Sequence, residues 1–123
     1  MSVRVFVVDD IAHVRKMLVN MLDLSGFEVV GQASSGAEAV ELVPEADPQV
    51  IVIDYNMPGI DGITAARQIR AQRPDQAIIL YTAFLDAALE QEAADAGVSL
   101  CVGKVEGITT LERDIRRLAG DLF

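Results

Sequence analysis

Four short apolar runs punctuate the sequence, and each leads into a polar residue. Val5-Phe6-Val7-Val8 precedes Asp9-Asp10, Val50-Ile51-Val52-Ile53 precedes Asp54, Ile78-Ile79-Leu80-Tyr81 precedes Thr82, and Leu100-Cys101-Val102 lies just ahead of Lys104. Runs of this length, rich in β-branched residues and separated by helical patterns, read as strands buried on both faces, hence as a parallel sheet covered by helices. Open sheets of this kind bind ligands beyond the carboxyl ends of their strands. Residues scattered along the chain therefore converge on one edge: three carboxylates, a hydroxyl and an ammonium. That collection suits a divalent cation and a phosphoryl group.

The intervening segments supply the helices. Val14, Met17, Leu18, Met21 and Leu22 recur at helical spacing until Gly26 stops the first helix. Phe27-Glu28-Val29-Val30 reads as a second strand. Ser35-Gly36-Ala37-Glu38 has the form of a capping box opening helix two, with Ala39, Val40 and Val43 as its apolar positions and Pro44 and Pro48 bracketing the loop that follows. Helix three follows Asp61-Gly62, turns Ile63, Ala66 and Ile69 inward and ends at Arg73-Pro74. An Ala-rich helix four near Asp86 to Ala96, ahead of Gly97, has the weakest apolar stripe. Thr109-Thr110-Leu111-Glu112 reads as a second capping box, and Leu111, Ile115, Leu118 and Leu122 form the inward stripe of helix five. Five strand–helix alternations predict one α/β domain over residues 1–123. Its architecture is doubly wound, a (βα)5 flavodoxin-like three-layer sandwich with parallel sheet order 2-1-3-4-5.

The set Asp9-Asp10, Asp54-Tyr55-Asn56-Met57-Pro58-Gly59-Ile60-Asp61-Gly62, Thr82-Ala83 and Lys104 resembles the receiver domain of two-component response regulators, the CheY-like family. The resemblance spans essentially the whole chain. It implies that Asp54 is the phosphoacceptor, taking a phosphoryl group from a sensor histidine kinase or a histidine phosphotransfer protein. It implies a Mg²⁺ (or Mn²⁺) site in which Asp10 and Asp54 are direct ligands, Asp9 acts largely through water and the Asn56 backbone carbonyl completes the protein's share. Lys104 would stabilise the transferring oxygens, and Thr82 would donate its hydroxyl to the product. Kinase docking would use Ile11, Val14, Arg15 and Leu18 with Val105 and Glu106. The output face would be helix four, strand five and helix five, with a weak homodimer through it. Such a protein is a regulatory phosphoacceptor rather than an enzyme, catalysing at most its own phosphorylation and dephosphorylation.

Two positions depart from the family pattern. Val105 follows Lys104 where the family usually has a cis proline. A non-proline cis bond costs about 2.5–4 kcal/mol, so a trans bond is expected, with Gly103 and Gly107 giving the Lys104 to Ile108 loop its own path. Three residues before the lysine, Cys101 stands where the family carries a Tyr or Phe switch residue. These departures favour an alternative, a pseudo-receiver serving as a constitutive protein-binding module. A third class, an aspartate-nucleophile phosphatase, needs a second aspartate two residues after Asp54, and Asn56 occupies that place.

Composition narrows the rest. The net charge of -9 argues against direct nucleic-acid binding by this chain. No apolar stretch approaches the roughly 20 residues needed to span a bilayer, and Met1-Ser2 leads directly into a strand without a signal segment. The one cysteine, Cys101, reads as a reduced core residue, so a cytoplasmic location is expected. Blander roles compete with each assignment. Asp9-Asp10 would serve equally as a helix cap and Lys104 as a solvated lysine. It is their joint placement at strand ends that favours the site. His13, without a second His or Cys nearby in sequence, reads as an exposed helix residue. Phe84, two residues past Thr82, is a candidate shield of the phosphoryl group against water.

Overall fold

Strands and helices alternate strictly in the computed structural model, which describes residues 2–120. The elements are β1 (Arg4–Val8), α1 (Ala12–Leu24), β2 (Glu28–Ala33), α2 (Gly36–Ala46), β3 (Val50–Ile53), α3 (Gly62–Gln72), β4 (Ala77–Thr82), α4 (Ala87–Asp95) and β5 (Leu100–Gly103). A 3-10 turn (Lys104–Glu106) then leads into α5 (Gly107–Leu118). All strand pairs are parallel and the sheet order is β2-β1-β3-β4-β5, as expected.

Period-two alternation along the strands builds two cores. Phe6, Val8, Ile51, Ile53, Ile78 and Leu80 face α2, α3 and α4. Val5, Val7, Val50, Val52, Ile79 and Val102 face Leu18 and Leu22 of α1 and Leu111 and Ile115 of α5. Each fully buried side chain of this size contributes about 1.5–3 kcal/mol against conformational entropy. The apolar runs look continuous in sequence because both faces of each strand are covered. Leu118 is half-buried, and Leu122 lies outside the described residues. In α4 only Ala93 is buried, in keeping with its weak stripe.

Element ends differ from expectation in three places. Pro44 lies inside α2 rather than in the loop. Lacking an N–H, it forfeits one helical hydrogen bond, yet buried Val43 carries the helix a further turn. Asp47, in the left-handed conformation (φ 49°), ends it by donating its N–H to the Val43 carbonyl at 2.9 Å. Strand β2 starts one residue later and runs three residues further than expected, because its pairing continues to Val8 opposite Ala33. Helix α5 starts at Gly107, ahead of Thr109-Thr110. Thr110 donates its hydroxyl to the Glu106 carbonyl at 3.3 Å from within the helix, and Glu106 Oε2 accepts the Gly103 N–H at 3.0 Å to close the 3-10 turn. At the start of α2, Ser35 accepts the Glu38 N–H at 3.1 Å, and Glu38 reaches back to the Ser34 N–H at 2.7 Å, so that capping signal is real. No described peptide bond is cis, and the Lys104–Val105 bond is trans as expected.

Candidate functional site

Three strand ends build the site. Asp9 follows β1 and is buried, 2% exposed. Its N–H donates to the Ala33 carbonyl at 3.1 Å and its Oδ1 accepts the Ile11 N–H at 2.9 Å. Asp54 follows β3; its N–H donates to the Val8 carbonyl at 3.1 Å, and its Oδ1 accepts the Tyr55 N–H at 2.8 Å. Strand pairing therefore fixes both backbones, and local N–H groups fix both carboxylates. Lys104 follows β5 and sends its Nζ to 3.4 Å from Asp9 Oδ2 and 3.5 Å from Asp54 Oδ2. Charge-assisted hydrogen bonds run about 2.7–2.9 Å, so this ammonium bridges the two acids as a point charge between them.

Asp9, Asp10 and Asp54 each offer a carboxylate oxygen within 4.8 Å of the others, the one such acidic group among the described residues. The Asp10 carboxylate has no hydrogen bond or ion pair with a described residue. An all-oxygen set with one acid unpaired matches what a hard divalent cation takes from a protein. The electrostatics agree. Burial pushes the Asp54 carboxyl above the usual carboxylate range, Lys104 pulls it down, and Asp9 pushes it up again. Burial, more than the neighbouring acid, is what disfavours the charged form of Asp54.

Gly62 permits the loop between β3 and α3. Its N–H donates to the Tyr55 carbonyl at 2.9 Å, and a Cβ there would stand 2.1 Å from the Asp54 carbonyl oxygen. Asp61 caps α3 by accepting the Thr64 N–H at 2.8 Å. The Asp-Gly pair is thus what lets the helix start against the site.

The structure brings Asp9, Asp10, Asp54 and Lys104 together. Thr82 is buried at the same edge, paired in register with Gly103. Asn56 lies exposed in the loop after Asp54. His13 is exposed on α1. Cys101 is half-buried on the α4 side, where burial first and Glu90 second push its thiol up. Among the docking candidates, Ile11, Val105 and Glu106 are exposed, whereas Leu18 belongs to the core. Phe84 is 79% exposed.

Arg15, a docking candidate, also makes contacts within the chain. Its Nη1 donates to the Asp9 backbone carbonyl at 2.8 Å and its Nε to Gln32 Oε1 at 3.0 Å. Sequence reasoning also passed over Tyr81. Strand alternation opposes it to Thr82, and its ring lies beside Lys104, with 5.7 Å between Nζ and the ring centroid. A cavity of about 290 Å³ opens there, lined by Val14, Met17 and Ile108 besides Tyr81, Asp9 and Lys104. A larger cleft of about 450 Å³ lies at the opposite edge of the sheet around Gln49, Arg73 and Gln76 and contains none of these residues.

Comparison with known proteins points the same way. Residues 5–116 match the response regulator receiver domain family. The chemotaxis protein CheY of Thermotoga maritima is 39% identical over 97 residues, covering 79% of this chain and 81% of that protein. A protein-glutamate methylesterase/protein-glutamine glutaminase of Alkalilimnicola ehrlichii is 42% identical over 101 residues, covering 80% of this chain but only 26% of that protein. Among solved structures, a LuxR-family two-component response regulator from Aurantimonas superposes with a TM-score of 0.93 at 30% identity, covering 98% of this chain and 86% of that one.

Proposed function

The chain belongs to the response regulator receiver domain family, and from that membership we propose that it is a signalling phosphoacceptor modified on Asp54, with residues 1–123 acting as one receiver domain. The observation that carries this reading is Lys104 Nζ poised between Asp9 and Asp54, 3.4 and 3.5 Å from their carboxylates, beside an Asp10 carboxylate that pairs with no described residue.

Asp54 is the nucleophile. One of its carboxylate oxygens attacks the phosphorus of a phosphohistidine in line; the new O–P bond forms as the P–N bond breaks, and the imidazole of the donor leaves. Little covalent assistance is required, so positioning and charge neutralisation dominate. The phosphohistidine would come from a sensor histidine kinase or a phosphotransfer protein. Asp10 and Asp54 would hold a Mg²⁺ or Mn²⁺ ion with the Asn56 backbone carbonyl, and Asp9 would act through water. When bound, that ion neutralises charge on the transferring oxygens. Lys104 gives up its contact with Asp54 for a phosphoryl oxygen while remaining near Asp9. Thr82 donates its hydroxyl to another phosphoryl oxygen. The product adds charge and acceptor oxygens to one edge of the sheet, which alters partner binding. No described helix is long and apolar enough to cross a membrane, which is compatible with a cytoplasmic receiver.

Acetyl phosphate with Mg²⁺ is expected to add one phosphate to the protein, read by intact mass. Asp54→Asn abolishes it, and Lys104→Ala impairs transfer while leaving metal affinity largely intact. An Asp54→Asn protein labelled as fully as wild type would falsify the assignment. A second reading, a constitutive binding module, is favoured by Cys101 in the place of the switch aromatic and by the trans, 90% exposed Val105. Phosphorylation that leaves partner affinity unchanged would select it.

A further inference from the structure

We propose that Tyr81 is a positioning residue for Lys104, its ring serving as the wall that keeps the ammonium between Asp9 and Asp54. The role rests on Asp54 being the phosphoacceptor and extends it to a residue on the opposite face of β4 from Thr82.

Lys104 needs such a wall in this chain. It opens a 3-10 turn flanked by Gly103 and Gly107, and Gly107 has a φ of 84°. The residue behind it, Val105, is joined by a trans bond and is 90% exposed. Glu106 fixes the turn through the Gly103 N–H but does not pair with the lysine. The two carboxylate contacts, at 3.4 and 3.5 Å, are too long to fix the direction of an ammonium on a flexible four-carbon stem. Neither the backbone nor the ion pairs alone therefore determine where Nζ sits.

Tyr81 supplies what is missing. The β4–β5 register sets it opposite Val102, two residues before the lysine. Its ring centroid is 5.7 Å from Nζ, inside the roughly 6 Å reach of a cation–π contact. Burial pushes the phenol upward from its ordinary range, against a smaller pull from Lys104, so the ring stays neutral. Its hydroxyl makes no hydrogen bond with a described residue. The aromatic face, rather than the hydroxyl, is what the lysine meets. Because the ring lies on the far side of β4 from Thr82, it leaves the phosphoryl side free while the lysine shifts from carboxylate to phosphate.

Phenylalanine should therefore replace Tyr81 and leucine should not. Tyr81→Leu is expected to slow phosphorylation by acetyl phosphate about 2- to 5-fold at saturating Mg²⁺, with Mg²⁺ affinity unchanged, and Tyr81→Phe is expected to match wild type. In a Lys104→Ala background the leucine change should add nothing. An independent readout needs no phosphate. The Lys104 ε-methylene protons should be shifted upfield by the ring in wild type and Tyr81→Phe, and return to ordinary values in Tyr81→Leu. Equal rates in Tyr81→Leu and wild type, a leucine effect that survives in Lys104→Ala, or an unshifted ε-methylene would each overturn the role. A wild-type protein that takes no phosphate removes the phosphoacceptor reading and the role with it. Normal labelling together with any of the three failures removes the role alone.

Discussion

At Asp54, burial pushes the carboxyl up, Lys104 pulls it down and Asp9 adds to the push, and burial dominates. The folded protein therefore holds a proton there more tightly than the unfolded chain does. Between the unfolded value and the raised folded value the native state binds more protons, so stability falls as pH rises through that window and the deficit is complete above it. Asp54→Asn is accordingly expected to melt higher than wild type at neutral pH without metal. A gain of about 1 kcal/mol corresponds to about 4–8 °C in a domain of about 100 residues. Acidification below the carboxylate range, or addition of Mg²⁺ to wild type, should close the gap; scanning calorimetry across pH checks both. Arg15 carries a second expectation. Its guanidinium holds the Asp9 carbonyl, so Arg15→Glu should slow acetyl phosphate and kinase phosphorylation alike. Slowing of the kinase reaction alone would assign Arg15 to docking rather than to support of Asp9. The strand-end acids and Lys104 were legible because period and position alone put them on one edge. Arg15 and Tyr81 were not, since their partners depend on how helix and strand faces are phased in three dimensions.

Elements were legible where apolar periodicity is dense and obscured where local signals compete with tertiary contacts. β1, β3, β4 and β5 followed from their runs and α3 from Asp61-Gly62, whereas β2 lacks such a run and its ends were misplaced. Pro44 signals a break, but the packing of Val43 outweighs it. Thr109-Thr110 signals a cap, but Glu106 had already closed the preceding turn. The start of α3 is where element geometry bears most directly on the site. Gly62 packs so closely on Asp54 that a methyl group cannot enter without moving the helix or the loop. Gly62→Ala is expected to cost about 1–3 kcal/mol, as overpacking does, and to weaken Mg²⁺ binding because the displaced backbone is that of Asp54 itself. Denaturant unfolding and metal titration of the same sample measure the two effects; normal metal affinity would show that the helix, not the loop, gives way.

Over the whole molecule, the two helices of the expected output face carry opposite charge in sequence, yet much of it is already engaged. On α4, Asp86 caps its own helix and Asp95 accepts from Gln91 at 3.0 Å. On α5, Arg113 and Arg117 lie 3.5 and 3.9 Å from buried Asp114, and Arg116 stacks 4.3 Å over Phe27. The order of the sheet was legible from the chain, whereas this internal use of charge was not, because it depends on which helical turns face one another. The unphosphorylated protein is therefore expected to sediment as a monomer, with a phosphoryl mimic required for any dimer through this face. A concentration-dependent dimer without the mimic would contradict that. The same face holds the sequence's one thiol. Cys101 is half-buried under α4, and burial suppresses its thiolate. Its rate of alkylation is in effect a built-in clock for the breathing of the α4–β5 seam, readable by mass without engineered labels. A rate that changes when Asp54, near the Lys104 end of the same strand, takes up phosphate would time the arrival of the signal without an added label.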